Sequence, residues 1–393
     1  VSVTTGRVFA AWVDLRSGPS FGTSFTIEID PSVTVFVPRG VGNSYQALED
    51  GTAYSYLVND HWRPGIGYPA VDLGDPALAV PWPIPLAEAE ISEKDRANPR
   101  LADIEPLPGP RTLVIGAGGQ LGRALCAELL DAVPVARSGT EQTLDLSDSA
   151  ALEAWPGRDY DVVINAAAYT AVDAAERPEG RVASWAANAT GPALLARLAR
   201  EHRFTLIHYS TDYVFDGTRE EHDESEPMSP LGVYGQSKTA GDLAVAIAPA
   251  HYVLRTSWVI GEGRNFVRTM QDLASRGISP AVVDDQHGRL TFTDELARAT
   301  RHLVTTNAPY GTYNVTNGGP VTSWADIARE VFRLSGRDPE DVGRTTTAAY
   351  SEGKDLAPRP IHSALRLDKL RATGFEPEDA FTALARYCSV SDG

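Results

Sequence analysis

The chain has 393 residues, 52 acidic against 35 basic, a formal net charge of −17 and 42% apolar residues. That is enough apolar mass for a sizeable core and more than one domain, and the acidic balance argues against a nucleic-acid partner. No stretch approaches the roughly 20 apolar residues of a membrane span, and the first residues lack a basic-then-apolar leader, so a soluble cytoplasmic protein is expected. Cys126 and Cys388 are too few for a disulfide framework, and Cys126 falls on an apolar helical pattern, where it reads as core.

Four short β-prone runs, at 8–13, 23–29, 33–37 and 54–58, alternate with turn signals and predict an antiparallel sheet. Residues 76–110 are rich in proline and charge and read as a connector over the surface. Residues 1–107 are therefore expected to form one domain with its connector and residues 108–393 a second. Strand and helix alternate in that second part, the signature of an α/β fold with a doubly wound parallel sheet.

There the strand 111–115 runs into a glycine-rich turn, 116–122, that opens a helix over 120–130. Among Gly116, Gly119 and Gly122, one permits the tight turn, one lets a pyrophosphate approach the backbone, and Gly122 lets helix pack on strand; Gln120 and Leu121 share the turn. A second strand over 132–136 ends at Arg137 and Ser138, a guanidinium and a hydroxyl suited to a 2′-phosphate. The expected cofactor is NADPH, with NADH as the alternative; the plain reading of Arg137 is a solvated loop charge. Asp145, followed by Leu146, can accept from an adenine amino group, while Asp148 or Ser147 can cap a helix over 150–155. The run 162–168 is a buried strand ending in Ala166, Ala167 and Ala168, small enough to leave room beside a ligand.

A further buried strand over 206–215 delivers Ser210, Thr211 and Asp212 at its carboxyl end, where doubly wound sheets place their chemistry. A helix beginning near Tyr234 puts Tyr234 and Lys238 on one face, one turn apart. Tyrosine and lysine at this spacing also stabilise ordinary helices. Together with the glycine turn they predict a nicotinamide-dependent reductase. Lys238 would lower the phenol pKa and reach the nicotinamide ribose, Thr211 would hold the substrate carbonyl, and Tyr234 would donate the proton. His208, inside the strand, reads as a satisfied core histidine.

These segments, with 165–173, 255–259, Asn265-Phe266, Asp285-Gln286 and Arg359-Pro360, resemble the dTDP-4-dehydrorhamnose reductases, extended short-chain dehydrogenases with a Rossmann-type sheet and a small substrate lobe. The resemblance covers residues 110–393. It implies reduction of dTDP-4-dehydro-L-rhamnose to dTDP-L-rhamnose by Thr211, Tyr234 and Lys238. It also implies Thr170, Val172, Asp212, Trp258 and Asn265 near the sugar nucleotide, and Arg359, with Arg264 as a second candidate, at its phosphates. Some relatives bind magnesium through a glutamate two residues beyond the last glycine; Ala124 stands there, so no metal site is expected. His287 lies in a stretch that departs from the family pattern on the substrate side. Tyr213 replaces the second acid of the sugar-nucleotide 4,6-dehydratases, which argues against elimination. A 4-epimerase, or a regulatory subunit on the same fold, remains an alternative.

Residues 6–95 resemble, in patches, the later half of the dTDP-4-dehydrorhamnose 3,5-epimerases, cupin-like β-barrels. The resemblance implies a partial barrel. It puts that family's catalytic histidine upstream of Val1, its tyrosine acid near His61-Trp62, a pocket histidine at Asn43 and the histidine's carboxylate partner at Asp95. An inactive remnant is expected, working beside a separate 3,5-epimerase. Unpaired strand edges also lead to the expectation that 8–58 packs on the reductase part or on a second copy, as in a homodimer.

Overall fold

The computed structural model describes residues 1–58, 69–109, 111–155 and 157–389, and the chain divides into two compact units, Val1–Pro110 and Arg111–Gly393. No helix among the described residues is long and apolar enough to cross a membrane.

In the first unit Val8–Asp14 is the middle strand of three, antiparallel to Ser24–Ile29 on one side and Val41–Ala47 on the other. A separate ribbon pairs Ser2–Thr5 with Ala53–Ser55. The third strand was not expected, because Gly42, Asn43 and Ser44 weaken its β signal. The run 33–37 alternates as expected, with Val33, Val35 and Val37 packing on Val8, Trp12 and Ile29, yet it makes only an isolated bridge, Ser2 to Thr34. Pro38 follows it and cannot donate to a ladder.

The proline-rich stretch is folded onto this sheet. Trp82 meets Phe9 edge-on at 5.7 Å. Gln46 clamps Ile84 from both sides, donating to its carbonyl at 2.8 Å and accepting from its N–H at 3.1 Å. Leu101, Ile104 and Leu107 complete a cluster with Val13, Leu15 and Leu78.

Asp14 fixes the turn after the middle strand. It accepts from the Arg16 backbone at 3.0 Å, from the Arg16 guanidinium at 2.8 and 2.7 Å, and from Ser20 at 2.9 Å. The Arg16 hydrogen bond, against the opposing effect of burial, takes its carboxyl down to about 2. A depressed carboxyl stabilises the fold above the unfolded-state value and loses that contribution as pH falls through the folded one. Asp14→Asn should therefore cost about 2 kcal/mol. The difference from wild type should vanish as pH drops from about 4 to about 2. Hydrogen exchange of the Val8–Asp14 amides in the full chain reads it; a difference unchanged at acid pH would remove the ion pair from the account.

The second unit is built on seven parallel strands. In chain order they are β1 Thr112–Ile115, β2 Val133–Ala136, β3 Gln142–Thr143, β4 Val162–Asn165, β5 Thr205–Thr211, β6 His251–Thr256 and β7 Gly311–Asn314. They lie in the order β7-β6-β5-β4-β1-β2-β3. The order reverses between β1 and β4, which opens a crevice beyond their carboxyl ends. The interior strands β1, β4, β5 and β6 are buried on both faces and apolar through their middles, and β4, β5 and β6 turn polar towards their carboxyl ends. Val114, Ile164, Ile207 and Leu254 pack on one face, and Leu113, Val163, Leu206 and Val253 on the other. A further cluster around Val267, Met270, Phe292, Ile327, Val331 and Leu384 makes a smaller lobe from helices Phe266–Ser275, Trp324–Leu334 and Ala380–Ser389.

Candidate active site

The glycine turn leaves β1 and enters helix α1, Gln120–Glu128. Gly116 sits at φ +86°, and a Cβ there would lie 2.6 Å from the Ala167 nitrogen. A Cβ on Gly122 would lie 2.1 Å from the Gly116 carbonyl oxygen. No side chain fits at either position, so the turn keeps bare backbone at the helix N-terminus, where an anion is favoured. Gly119 is the N-cap of α1 without a side-chain hydrogen bond. The Gln120 amide donates to the Arg264 carbonyl at 3.3 Å, and its buried oxygen has no partner. Leu121 packs against the core.

Past β2, Arg137 and Ser138 are exposed. Asp145 accepts from the Ser147 N–H at 2.9 Å and hydroxyl at 2.6 Å, which hold its carboxyl below the usual value with a smaller contribution from Arg137. The helix cap is Asp148, which accepts from Ala150 and Ala151, so Asp145 is not used for capping. Leu146 is buried, and its carbonyl would meet a Cβ on Gly191 at 2.5 Å. Ala166, Ala167 and Ala168 leave β4 in a turn held by Asn165, whose Oδ1 accepts from the Ala167 N–H at 3.2 Å.

Thr211 closes β5, and its hydroxyl donates to Asp212 Oδ1 at 2.9 Å while accepting from the Tyr213 N–H at 3.2 Å. Burial lifts the Asp212 carboxyl to about 6, with the Ser363 and Thr211 hydroxyls opposing. Helix α2, Val233–Val245, carries Tyr234 and Lys238. Its first N–H groups have no side-chain cap of their own. Glu176, 57 residues earlier, accepts from the Val233 N–H at 2.8 Å instead. The Tyr234 ring meets Tyr213 edge-on at 5.8 Å. Its phenol is pushed well up, by burial first and then by the Asp212 charge, with the Thr211 hydroxyl pulling the other way.

Lys238, one turn further along α2, is drawn to β5. Its side chain is 2% exposed and donates to the Tyr209 carbonyl, with Nζ 3.3 Å from His208 Nε2. Burial takes the amine down to about 8, the Asp242 charge opposing. Asp242 in turn pairs with Arg255 of β6 at 3.1 Å.

Several residues around this pair were not singled out by sequence. Asn188 lies in a π-turn, Ala186–Thr190, and its side chain holds the Tyr169 backbone, accepting from its N–H at 2.9 Å and donating to its carbonyl at 3.0 Å. It also donates to Ser237 at 3.1 Å, and Ser237 donates to the Tyr234 carbonyl at 2.7 Å. The Gly191-Pro192 pair inside a helical pattern was the available signal, since such breaks mark irregular turns, which concentrate near functional sites.

On the substrate side, Thr170 is exposed and Val172 half-buried. Trp258 sits at φ +47°, a left-handed conformation costly for a bulky residue. It stacks on Trp324 at 4.0 Å, and a Cβ on Gly288 would strike its ring at 2.8 Å. Two expected ligand contacts are engaged within the protein. Asn265 caps Phe266–Ser275 and donates to the Gly261 carbonyl at 2.8 Å and the Tyr387 hydroxyl at 2.7 Å. Arg359 donates to Asp173 at 2.9 and 3.0 Å, and Asp173 also accepts from the Ala357 N–H at 2.9 Å.

The family model described as RmlD substrate binding domain matches residues 110–391. A dTDP-4-dehydrorhamnose reductase of Streptomyces griseus is 39% identical over 289 residues, which cover 70% of this chain and 91% of that protein. The chain belongs to the dTDP-4-dehydrorhamnose reductase family. A dTDP-4-keto-6-deoxy-D-glucose reductase of Streptomyces niveus is 38% identical over 272 residues, 68% of this chain and 92% of that one. The solved dTDP-4-dehydrorhamnose reductase of Bacillus anthracis, in complex with NADP, superposes at a TM-score of 0.62 with 30% identity, covering 71% of this chain and 98% of its own.

The model described as dTDP-4-dehydrorhamnose 3,5-epimerase matches residues 1–103, ahead of the reductase-family unit. That first unit holds an open cleft of about 850 Å³ between the sheet and the folded-over segment, lined by Tyr45, Gln46, Trp82 and Asp95 among others. Asn43 accepts from the Tyr54 hydroxyl at 2.9 Å, and Asp95 accepts from Ser92 at 2.7 Å. His61 and Trp62 lie outside the described residues.

Proposed function

We propose that the second unit uses NADPH to reduce the C4 ketone of dTDP-4-dehydro-L-rhamnose, giving dTDP-L-rhamnose. The observation that carries the reading is Thr211 at the carboxyl end of β5, followed by Tyr213, whose ring meets Tyr234 at 5.8 Å, with Lys238 one turn further along α2. Similarity to the named reductases supports it across most of the chain.

The residues present fit a dinucleotide. Gly116 and Gly122 leave a backbone cradle at the N-terminus of α1, and the Gln120 oxygen is buried without a partner. Arg137 and Ser138, exposed past β2, would take a 2′-phosphate, and NADH would bind without that contact. Asp145 and Leu146 would face the adenine, and Ala166, Ala167 and Ala168 the nicotinamide end. When bound, the reduced nicotinamide supplies the hydride for the ketone carbon. Thr211 donates to the ketone oxygen, and Tyr234, kept protonated by burial, gives that oxygen its proton. Lys238 as an ammonium reaches the cofactor ribose and stabilises the phenolate left behind. Thr170, Val172, Asp212 and Trp258 line the sugar nucleotide, while Asn265 and Arg359 hold the loops beside it.

The first unit is read as catalytically silent, since Asn43 stands where the resembled epimerases carry a pocket histidine. A separate 3,5-epimerase would then supply the substrate. A second reading is favoured by the name of the Streptomyces niveus relative: direct reduction of dTDP-4-keto-6-deoxy-D-glucose. Loss of nicotinamide absorbance on adding that ketosugar, with and without a separate 3,5-epimerase, tests both. Oxidation only with the epimerase is expected. Oxidation without it, giving the unepimerised product, would favour the second reading, and none in either case would overturn both.

A further inference from the structure

Asn165, His208 and Lys238 form a buried row, exposed by 1%, 1% and 2%. Asn165 and His208 are register partners on β4 and β5. Because a backbone N–H can only donate, the contact from Ala167 at 3.2 Å fixes Asn165 Oδ1 and turns its NH₂ toward His208. That NH₂ lies 3.0 Å from His208 Nδ1, so Nδ1 must carry the lone pair. A neutral imidazole then holds its proton on Nε2, the nitrogen 3.3 Å from Lys238 Nζ. An ammonium has three donors and no acceptor, so it would set donor against donor. A neutral amine accepts from Nε2–H and still donates to the Tyr209 carbonyl. Only the neutral amine avoids that clash.

We infer that His208, its tautomer fixed by Asn165, is a positioning residue that stabilises the neutral amine of Lys238 against the Tyr209 carbonyl of β5. It thereby sets the upper pH at which Lys238 keeps the proton the reductase uses. The inference rests on the reductase reading of Tyr234 and Lys238. The other charges around Lys238 do not do this work. Asp242, on the same helix, favours the ammonium but is shared with Arg255 from β6. Asp212, at the end of β5, acts on the Tyr234 phenol. Burial holds His208 neutral. When Lys238 takes a proton from solvent it loses the lone pair that received Nε2–H, and the contact with His208 fails.

His208→Gln offers Lys238 an oxygen that accepts from an ammonium. Asn165→Asp accepts from Nδ1–H and frees the Nε2 lone pair. Each should move the alkaline limb of the kcat/KM profile upward by about one pH unit. A loss of activity with the limb unmoved would mean a structural role and overturn the inference. Imidazole nitrogen NMR of His208 in the wild-type protein is independent of both substitutions and of any substrate. Nδ1 unprotonated and Nε2 protonated is expected, and the opposite tautomer, or an imidazolium, would overturn the inference even if both variants failed to fold. Failure of the wild type to reduce either ketosugar would sink the reductase reading and leave the tautomer result standing.

Discussion

Replacing Tyr234 by Phe is expected to lower turnover by about 10²- to 10⁴-fold while NADPH affinity stays within a few-fold. The substitution removes one O–H and keeps the ring, so the edge-on contact with Tyr213 at 5.8 Å survives. Thr211 keeps its Asp212 and Tyr213 partners, so the carboxyl end of β5 is not disturbed. What is lost is the proton donor of the proposed reaction. Because burial raises the phenol far above neutral pH, the wild-type tyrosine is protonated throughout the working range, and the loss should not be rescued by lowering pH. Single-turnover NADPH oxidation, with cofactor titration by nicotinamide fluorescence, separates the two quantities. Near-normal turnover would remove Tyr234 from its role; lost cofactor binding would make the residue structural.

The parts of this site legible in the sequence are those set by one residue's local requirement. Gly116 and Gly122 could be named because no other residue fits their backbone and contacts, and the glycine spacing shows that without a structure. Tyr234 and Lys238 share a helix face for the same kind of reason. Where the Lys238 amine points could not be read, since that depends on His208 and Tyr209 on a neighbouring strand. Glu176, Asn188 and Arg255 act across 57, 19 and 13 residues of chain and carry no local pattern that marks them. Arg359 stands out through its place in the Arg-Pro motif, but its ion pair with Asp173, 186 residues away, carries no local mark.

The first unit was legible by strand type and less so by pairing. Val8–Asp14 and Ser24–Ile29 are rich in β-branched and aromatic residues and came through. Val41–Ala47 pairs along its whole length with Val8–Asp14, although half its residues are poor strand formers, because the neighbouring ladder supplies what its own propensity does not.

Lys238→Met is expected to lower turnover by about 10²-fold or more and, at the same time, to abolish a stability gain that the wild type shows in alkali. The folded state holds the Lys238 proton less tightly than the unfolded chain, at about 8 against 10.5. A depressed lysine costs stability below its folded value, and the cost is relieved as pH rises from there to the unfolded value. The difference corresponds to about 3 kcal/mol. Wild-type stability, measured against the methionine variant, should therefore rise by about 3 kcal/mol between about pH 7 and pH 10.5. Urea unfolding of both proteins across that range reads it, and parallel curves would show that the buried amine carries no such penalty. Met fills much the same volume, so packing in α2 is retained and the comparison isolates the charge. A fold that buries an ammonium among β5 and α2, with Asp242 committed to Arg255, gives up stability to place one there. In the proposed reaction that loss serves a purpose, since the proton so held is the one that would stabilise the Tyr234 phenolate as the ketone is reduced.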